Sequence, residues 1–318
     1  MYDVVALGEL LIDFTPHGQS EKGNYLFEQN PGGAPANVLV MLSKLKKNTA
    51  FIGKVGQDTF GTYLKNILNE NDVETAGLVM SKEVNTTLAF VHLFEDGDRA
   101  FSFYRKPGAD QMLTKEEVNY DLIRSSKVFH FGSLSLTNEP VREATLSAVQ
   151  FAKEHGLTVS YDPNFRESLW KDRETAVEAI KSGLAYTDIL KVSEEEFELL
   201  TNTTNLEQGT KLLMDEYDLK LVLVTFGDQG CFYRYKEHTG LVTSFKVNAV
   251  DTTGSGDAFF GAFLYNVLST PQFFENLEVE KLEKAIRFAN AAGALTATRK
   301  GGIPALPELE EILELVQE

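Results

Sequence analysis

Short, continuously apolar runs alternate with amphipathic stretches along most of the chain, and this rhythm constrains the fold more than any other feature. The runs are Val4–Leu7, Thr49–Val55, Lys127–Leu134, Leu157–Asp162, Asp188–Val192 and Leu219–Gly227. Each has the length of a strand and is apolar on successive residues, so both of its faces must be covered. Helical periodicity lies between them at Ala34–Leu45, Phe60–Asn69, Glu139–Glu154, Asp172–Leu184 and Leu206–Tyr217. Strands and helices in this order predict a three-layer α/β fold with a mostly parallel central sheet. With 318 residues and 43% hydrophobic content, one domain over residues 1–318 has core enough without a disulfide or metal staple.

One segment breaks the rhythm. Thr86–Arg105 alternates apolar and polar residues on both sides of Asp96-Gly97-Asp98, a hairpin signal. Phe101 and Phe103 fall on one face of its second strand. The polar stretch Thr15–Asn30 lacks helical period and is able to join it. Segments of about 15–30 and 86–107 therefore read as inserts, either extra edge strands or a small β lid over a site. The acidic amphipathic stretch at the C-terminus reads as a solvated helix face.

The net charge is −17. Such a surface repels nucleic acid and anionic membranes, and it also repels a free anionic ligand, which must then be held by local donors or carried with a cation. The N-terminus has no basic start and is interrupted by Asp3, Glu9 and Asp13, unlike a signal peptide. No apolar run approaches the ~18 residues that span a bilayer. The single cysteine, Cys231, permits no intrachain disulfide, which fits a reducing, cytoplasmic setting. The five histidines show no metal-ligand spacing, and no P-loop, G-x-G-x-x-G or G-x-S-x-G motif is present.

The stretch Asp251–Phe263, DTTGSGDAFFGAF, carries the chemistry. Thr243–Val250 is predicted as a strand and Asp257–Val267 as a helix, which places the glycines in a strand-to-helix loop. Small residues there let the backbone approach a ligand, and a helix start offers unpaired N–H groups and the positive end of its dipole. Asp257 in the first turn reads either as a cap or as a base beside the anion. The helix end is expected to keep it ionised and therefore weakly basic. A weak base is tolerable in phosphoryl transfer, where positioning and charge stabilisation dominate.

This stretch resembles the C-terminal signature of the ribokinase-like, phosphofructokinase-B type carbohydrate kinases. Pro31–Leu45, PGGAPANVLVMLSKL, followed by Phe51–Gly61, FIGKVGQDTFG, resembles their N-terminal signature. The wording GGAPAN, KPGADQML, DPNFR and KVSEEE is most similar to the fructokinase branch. The resemblance spans nearly the whole chain. It implies a ribokinase-like fold and an ATP-dependent kinase that phosphorylates the 6-hydroxyl of D-fructose. Kinases of 2-keto-3-deoxygluconate, ribose, tagatose or nucleosides share these motifs, and a catalytically silent binding module would share the fold.

Residue by residue, the resemblance implies Asp257 as catalytic base and the backbone of Gly254, Ser255 and Gly256 as anion hole. Ser255 stands where the family more often has alanine. For the sugar it implies Asp13, Gly32, Gly33, Asn37, Gly108, Ala109, Asp110 and Arg166, with Phe101 and Phe103 closing the apolar side. For ATP it implies Lys191, Ser193, Thr225, Gly227, Gly230 and Asn290. Glu196 would hold Mg2+ through water, although Ser193-x-x-Glu196 is equally a capping box. Ser193 stands where the family has asparagine. Asp251, Thr253 and the backbone near Gly301 resemble a monovalent-cation site, with K+ as the candidate. An exposed hairpin edge invites pairing with a second copy, which leaves a homodimer open.

Overall fold

The computed structural model describes residues 1–93, 99–270, 273–274 and 277–317. In chain order its strands are β1 (Tyr2–Leu7), β2 (Leu11–Gln19), β3 (Tyr25–Gly32), β4 (Thr49–Gly56), β5 (Val73–Ser81), β6 (Leu88–Leu93), β7 (Arg99–Tyr104), β8 (Ser126–Phe131), β9 (Thr158–Tyr161), β10 (Ile189–Ser193), β11 (Leu221–Thr225), β12 (Cys231–Tyr235) and β13 (His238–Val242). The helices are α1 (Ala34–Lys44), α2 (Thr59–Glu70), α3 (Tyr120–Arg124), α4 (Val141–Glu154), α5 (Arg173–Leu184), α6 (Glu194–Thr201), α7 (Leu206–Tyr217), α8 (Ser255–Ser269), α9 (Val279–Ala297) and α10 (Leu309–Gln317).

Nine strands form one sheet in the order β13-β12-β11-β10-β9-β8-β1-β4-β5, parallel except where β12 runs against both neighbours. Helices cover both faces. Val4 and Ala6 of β1 join the core under α1, α8 and α9, whereas Val5 and Leu7 join the core under α3 to α7. Alternate residues of one strand thus feed two cores, which is why the predicted strands read as unbroken apolar runs. The chain places β4 and β5 on one side of β1, then crosses to β8 and continues outward. The switch point lies between β1 and β8, and loops leaving their carboxyl ends frame a crevice there.

The second sheet has the order β3-β2-β6-β7. The hairpin read at Thr86–Arg105 is its β6–β7 pair, while the Asp96-Gly97-Asp98 turn and the Phe101 side chain lie outside the described residues. The companion strands begin earlier than the expected Thr15, because Leu11 already pairs with Gly32. Two knots, one part-buried and one buried, fasten this sheet to the main body. Asp58 caps α2 and also accepts from the Thr86 N–H at 2.8 Å. Asp110 accepts from the Thr87 hydroxyl and, at 2.7 Å, from Arg105 Nε, so both legs of the hairpin meet one carboxylate.

Three expected elements change. The strand expected over Thr243–Val250 does not form: the sheet edge is β13, ending at Val242. Beyond it no neighbour offers a ladder, and the N–H groups of Val250 and Asp251 donate instead to Ala297 O at the end of α9. The runs expected to reach Leu134 and Gly227 stop at Phe131 and Thr225, where tight 3-10 turns begin soon after. Past β8 the apolar character continues because the Leu134–Leu136 turn packs inward, whereas the Gly227–Gln229 turn past β11 is exposed.

Candidate active site

The crevice holds a cavity of about 300 Å3 whose lining includes Glu9, Asp13, Gly33, Asn37, Phe103, Asn164, Arg166, Thr252–Gly254, Gly256 and Asp257. These residues come from the end of β1, from β2, from the start of α1, from the second strand of the hairpin, from the loop after β9 and from the start of α8. Its size suits a small polar ligand.

Helix α8 supplies the anion end. Gly254 begins it at φ 77°, a left-handed conformation, and a Cβ there would come within 3.2 Å of Gly302 Cα. Glycine is the residue that accepts both conditions. No side chain caps α8, and the first-turn N–H groups of a helix lack intrahelical partners. Close packing of α8 on α1 depends on Gly261, where a Cβ would meet Met41 Cβ at 2.8 Å. That contact fixes Asn37 of α1 against Asp257 of α8.

Asp257 is 6% exposed. Its Oδ2 accepts from Asn37 Nδ2 at 2.7 Å and its Oδ1 from Asn164 Nδ2 at 3.3 Å. Burial pushes its carboxyl above the ordinary range, against the pull of Asn37, Lys191, Arg166 and Asn164. The expected weak base is a stronger one: desolvation raises its basicity above that of an ordinary carboxylate. Asp13 shares the pocket, and burial, opposed by Arg166, pushes it up to about 6.

Beneath the loop, Lys191 Nζ donates to Asp162 Oδ2 at 2.9 Å, and a Cβ on Gly256 would lie 2.9 Å from that ammonium. Burial pushes Asp162 up to about 7 against the pull of Lys191. Burial works against the charge on Lys191, yet Asp162, Glu196 and Asp257 keep it protonated and raise its pKa. A buried cation therefore underlies the helix start, in an otherwise acidic protein.

Of the other expected sugar residues, Gly32 stands beside Asp13, since a Cβ on it would overlap the Asp13 carboxylate. Gly108, Ala109 and Asp110 do not reach the cavity wall. Both Asp110 oxygens are committed to Thr87 and Arg105, and the turn they belong to backs the hairpin base. Their sequence position after the hairpin did not reveal this, because the pairing with Thr87 is a long-range contact.

The capping box forms: Glu196 N–H donates to Ser193 Oγ at 3.2 Å and Ser193 N–H to Glu196 Oε2 at 2.8 Å. Glu196 Oε1 also accepts from Phe165 N–H at 2.6 Å. Each oxygen keeps a second lone pair, so the donor set fits Mg2+ held through water. Thr225, Gly227 and Gly230 sit at the carboxyl end of β11, Gly227 and Gly230 with positive φ. Asn290 is on α9, its Nδ2 donating to the carbonyls of Val242 and Thr243. Asp251, Thr253 and Gly301 are brought together: Asp251 Oδ1 accepts from Thr253 N–H and Oγ1 at 3.0 and 2.7 Å, and Oδ2 from Gly301 N–H at 3.0 Å. The Asp251 carboxylate and the Thr253 hydroxyl offer oxygen atoms here, the ligand type that fits a hard monovalent cation. Among the described residues, no group of three His, Cys, Asp or Glu side chains forms a metal cage, and no helix is long and apolar enough to cross a membrane.

Sequence reasoning missed Glu9, Asn164 and Asp162 as members of this region. Glu9 left one signal, a charged residue directly after a buried strand and its Gly8. Asn164 and Asp162 stand in the DPNFR motif, from which only Arg166 was singled out.

The model of the pfkB family of carbohydrate kinases matches residues 1–309. Fructokinase-1 of Oryza sativa subsp. japonica is 48% identical over 316 residues, covering 99% of this chain and 97% of that protein. Among solved structures, the Xylella fastidiosa fructokinase with bound ATP superposes with a TM-score of 0.91 at 33% identity, covering 100% of this chain and 99% of the other. The Vibrio cholerae O395 fructokinase in its fructose, ADP and calcium ion bound form gives 0.88 at 32% identity, with 99% of each chain covered.

Proposed function

The chain belongs to the pfkB family of carbohydrate kinases, and we propose that it transfers the γ-phosphoryl group of ATP to the 6-hydroxyl of D-fructose. The fructokinases that match it over nearly its full length support the substrate. One observation carries the chemistry: Asp257, a buried carboxyl of raised pKa, stands in the first turn of a helix without a side-chain cap, and Gly254 and Gly256 of that start line the same cavity.

In this reading the sugar lies over Asp13, Gly33 and Asn37, with Gly32 and Phe103 shaping the wall. Asp13 accepts from sugar hydroxyls, as a carboxylate can. Asn37 and Asn164 hold Asp257 with its lone pairs toward the attacking hydroxyl, whose proton it receives. The backbone at Gly254–Gly256, with Lys191 below and Arg166 beside it, stabilises charge on the transferring phosphoryl. Mg2+, when bound, neutralises charge on the ATP phosphates, and Glu196 would hold it through water. Ser193, Thr225, Gly227, Gly230 and Asn290 border the nucleotide, and Asp251, Thr253 and Gly301 hold a monovalent cation such as K+. The small sheet acts as a lid that excludes water from the phosphoryl group.

The same sheet supports a homodimer. Tyr25, Leu26, Phe27 and Tyr104 on its edge strands are exposed, and such apolar edges invite a second copy. ATP as donor is consistent with a cytoplasmic setting. A panel of fructose, ribose and 2-keto-3-deoxygluconate with coupled ADP detection tests the reading. Fructose is expected to give the highest kcat/KM, and either rival exceeding it overturns the assignment.

A further inference from the structure

We propose that Glu9 is a sugar-binding residue, its Oε2 bonding a hydroxyl at the end of the sugar remote from Asp257. The inference rests on the sugar-kinase reading above and adds a residue to it. Glu9 follows β1 at the switch point, lines the cavity and is only 3% exposed. Its Oε1 accepts from the Ala34 N–H at 2.8 Å. Its Oε2 is equally buried and, among the described residues, has no hydrogen-bond partner beyond the residue's own backbone.

A buried carboxyl oxygen without a partner is an unfavourable arrangement, and here it belongs to a residue that lines a ligand cavity. A ligand hydroxyl that supplies the missing bond relieves it on binding, so the cost in the free protein becomes selectivity for a ligand that bears one. Glu9 closes the start of α1 and Asp257 stands in the first turn of α8, so the two carboxyls serve different helix starts at the cavity. With the 6-hydroxyl at Asp257, the C1–C2 end of the sugar faces Glu9.

A hydroxyl suits this position in either protonation state, because it donates to a carboxylate and accepts from a carboxylic acid.

The test measures KM for fructose, 1-deoxy-D-fructose, 2,5-anhydro-D-mannitol and ATP on the wild type, Glu9→Met and Glu9→Gln, with melting temperatures alongside. Glu9→Met is expected to raise the fructose KM at least tenfold and leave the ATP KM within twofold. For one of the two analogues, loss of its hydroxyl should raise KM about tenfold in the wild type and less than twofold in Glu9→Met. If Glu9→Met does not fold, Glu9→Gln carries the test and should shrink the same analogue penalty. A fructose KM unchanged within twofold, equal analogue penalties in wild type and variant, or a parallel rise in the ATP KM overturns the proposal. A wild type inert toward fructose instead fails the underlying reading, and this proposal with it.

Discussion

Two helix starts face the cavity, and they are finished differently. Both α1 and α8 follow a glycine with positive φ, and neither glycine supplies a side-chain cap. At α1 the gap is closed from outside: Glu9, 25 positions earlier in sequence, accepts the Ala34 N–H. At α8 no side chain performs that service, and the acid of its first turn, Asp257, is held sideways by two asparagines. The difference assigns the two ends. A helix start already satisfied by a carboxylate repels an anion and suits a neutral sugar. An uncapped one above a buried lysine suits a phosphoryl group.

Removing the acid of α8 should have the largest effect. Asp257→Asn keeps the size and most of the hydrogen bonding, and kcat should fall by about 10^3 or more, within the range for a general base. Because burial raises its pKa, the acid limb of the wild-type kcat/KM profile should lie above the ordinary carboxylate range, with activity lost as pH falls through it. That limb should be missing from the residual activity of the asparagine variant.

The α1 side should show its character in stability. Burial pushes Glu9 up to about 7, from an ordinary 4.5. The unfolded chain therefore releases its proton first as pH rises, and stability is lost between about pH 4.5 and 7. Glu9→Gln removes that loss, so its stability advantage in urea titrations should be near zero at pH 4 and grow to about 3 kcal/mol by pH 8. An advantage independent of pH would show that the Glu9 carboxyl ionises as easily in the folded protein as in the unfolded chain.

Closing the backbone of the anion end should cost less. Gly254→Ala forces a side chain into a left-handed conformation, with a stability loss of roughly 1–2 kcal/mol. The ATP KM should rise more than the fructose KM in steady-state assays, because the displaced N–H groups belong to the phosphoryl end. A smaller change is expected away from both starts. Ser193→Ala removes the α6 cap and should lower stability by about 1 kcal/mol in a thermal melt.

How much of this was legible in the sequence follows the range of the contacts involved. The α7 span Leu206–Tyr217 was readable to the residue, because apolar periodicity and the Asn205 cap are local. The α8 start was readable to within two residues, expected at Asp257 and found at Ser255, because glycines and an acid stand together there. The Thr243–Val250 strand failed because its alternating pattern is real but the sheet ends one strand earlier, a fact fixed by α9. Asp110 looked like a pocket residue until Thr87 and Arg105 claimed both oxygens. Glu9 was visible only as a charge interrupting an apolar run. Its meaning depends on Ala34, a contact that forms only when α1 folds back over β1.

The most direct measurement is the fructose-dependent production of ADP by the purified protein, with the phosphorylated position read by 31P and 13C NMR. Fructose 6-phosphate formed by the wild type, and lost by about three orders of magnitude in a folded Asp257→Asn variant, is the result expected. Near-normal turnover by that variant, or phosphorylation at another hydroxyl, would contradict the assignment of Asp257 as the base at the 6-hydroxyl.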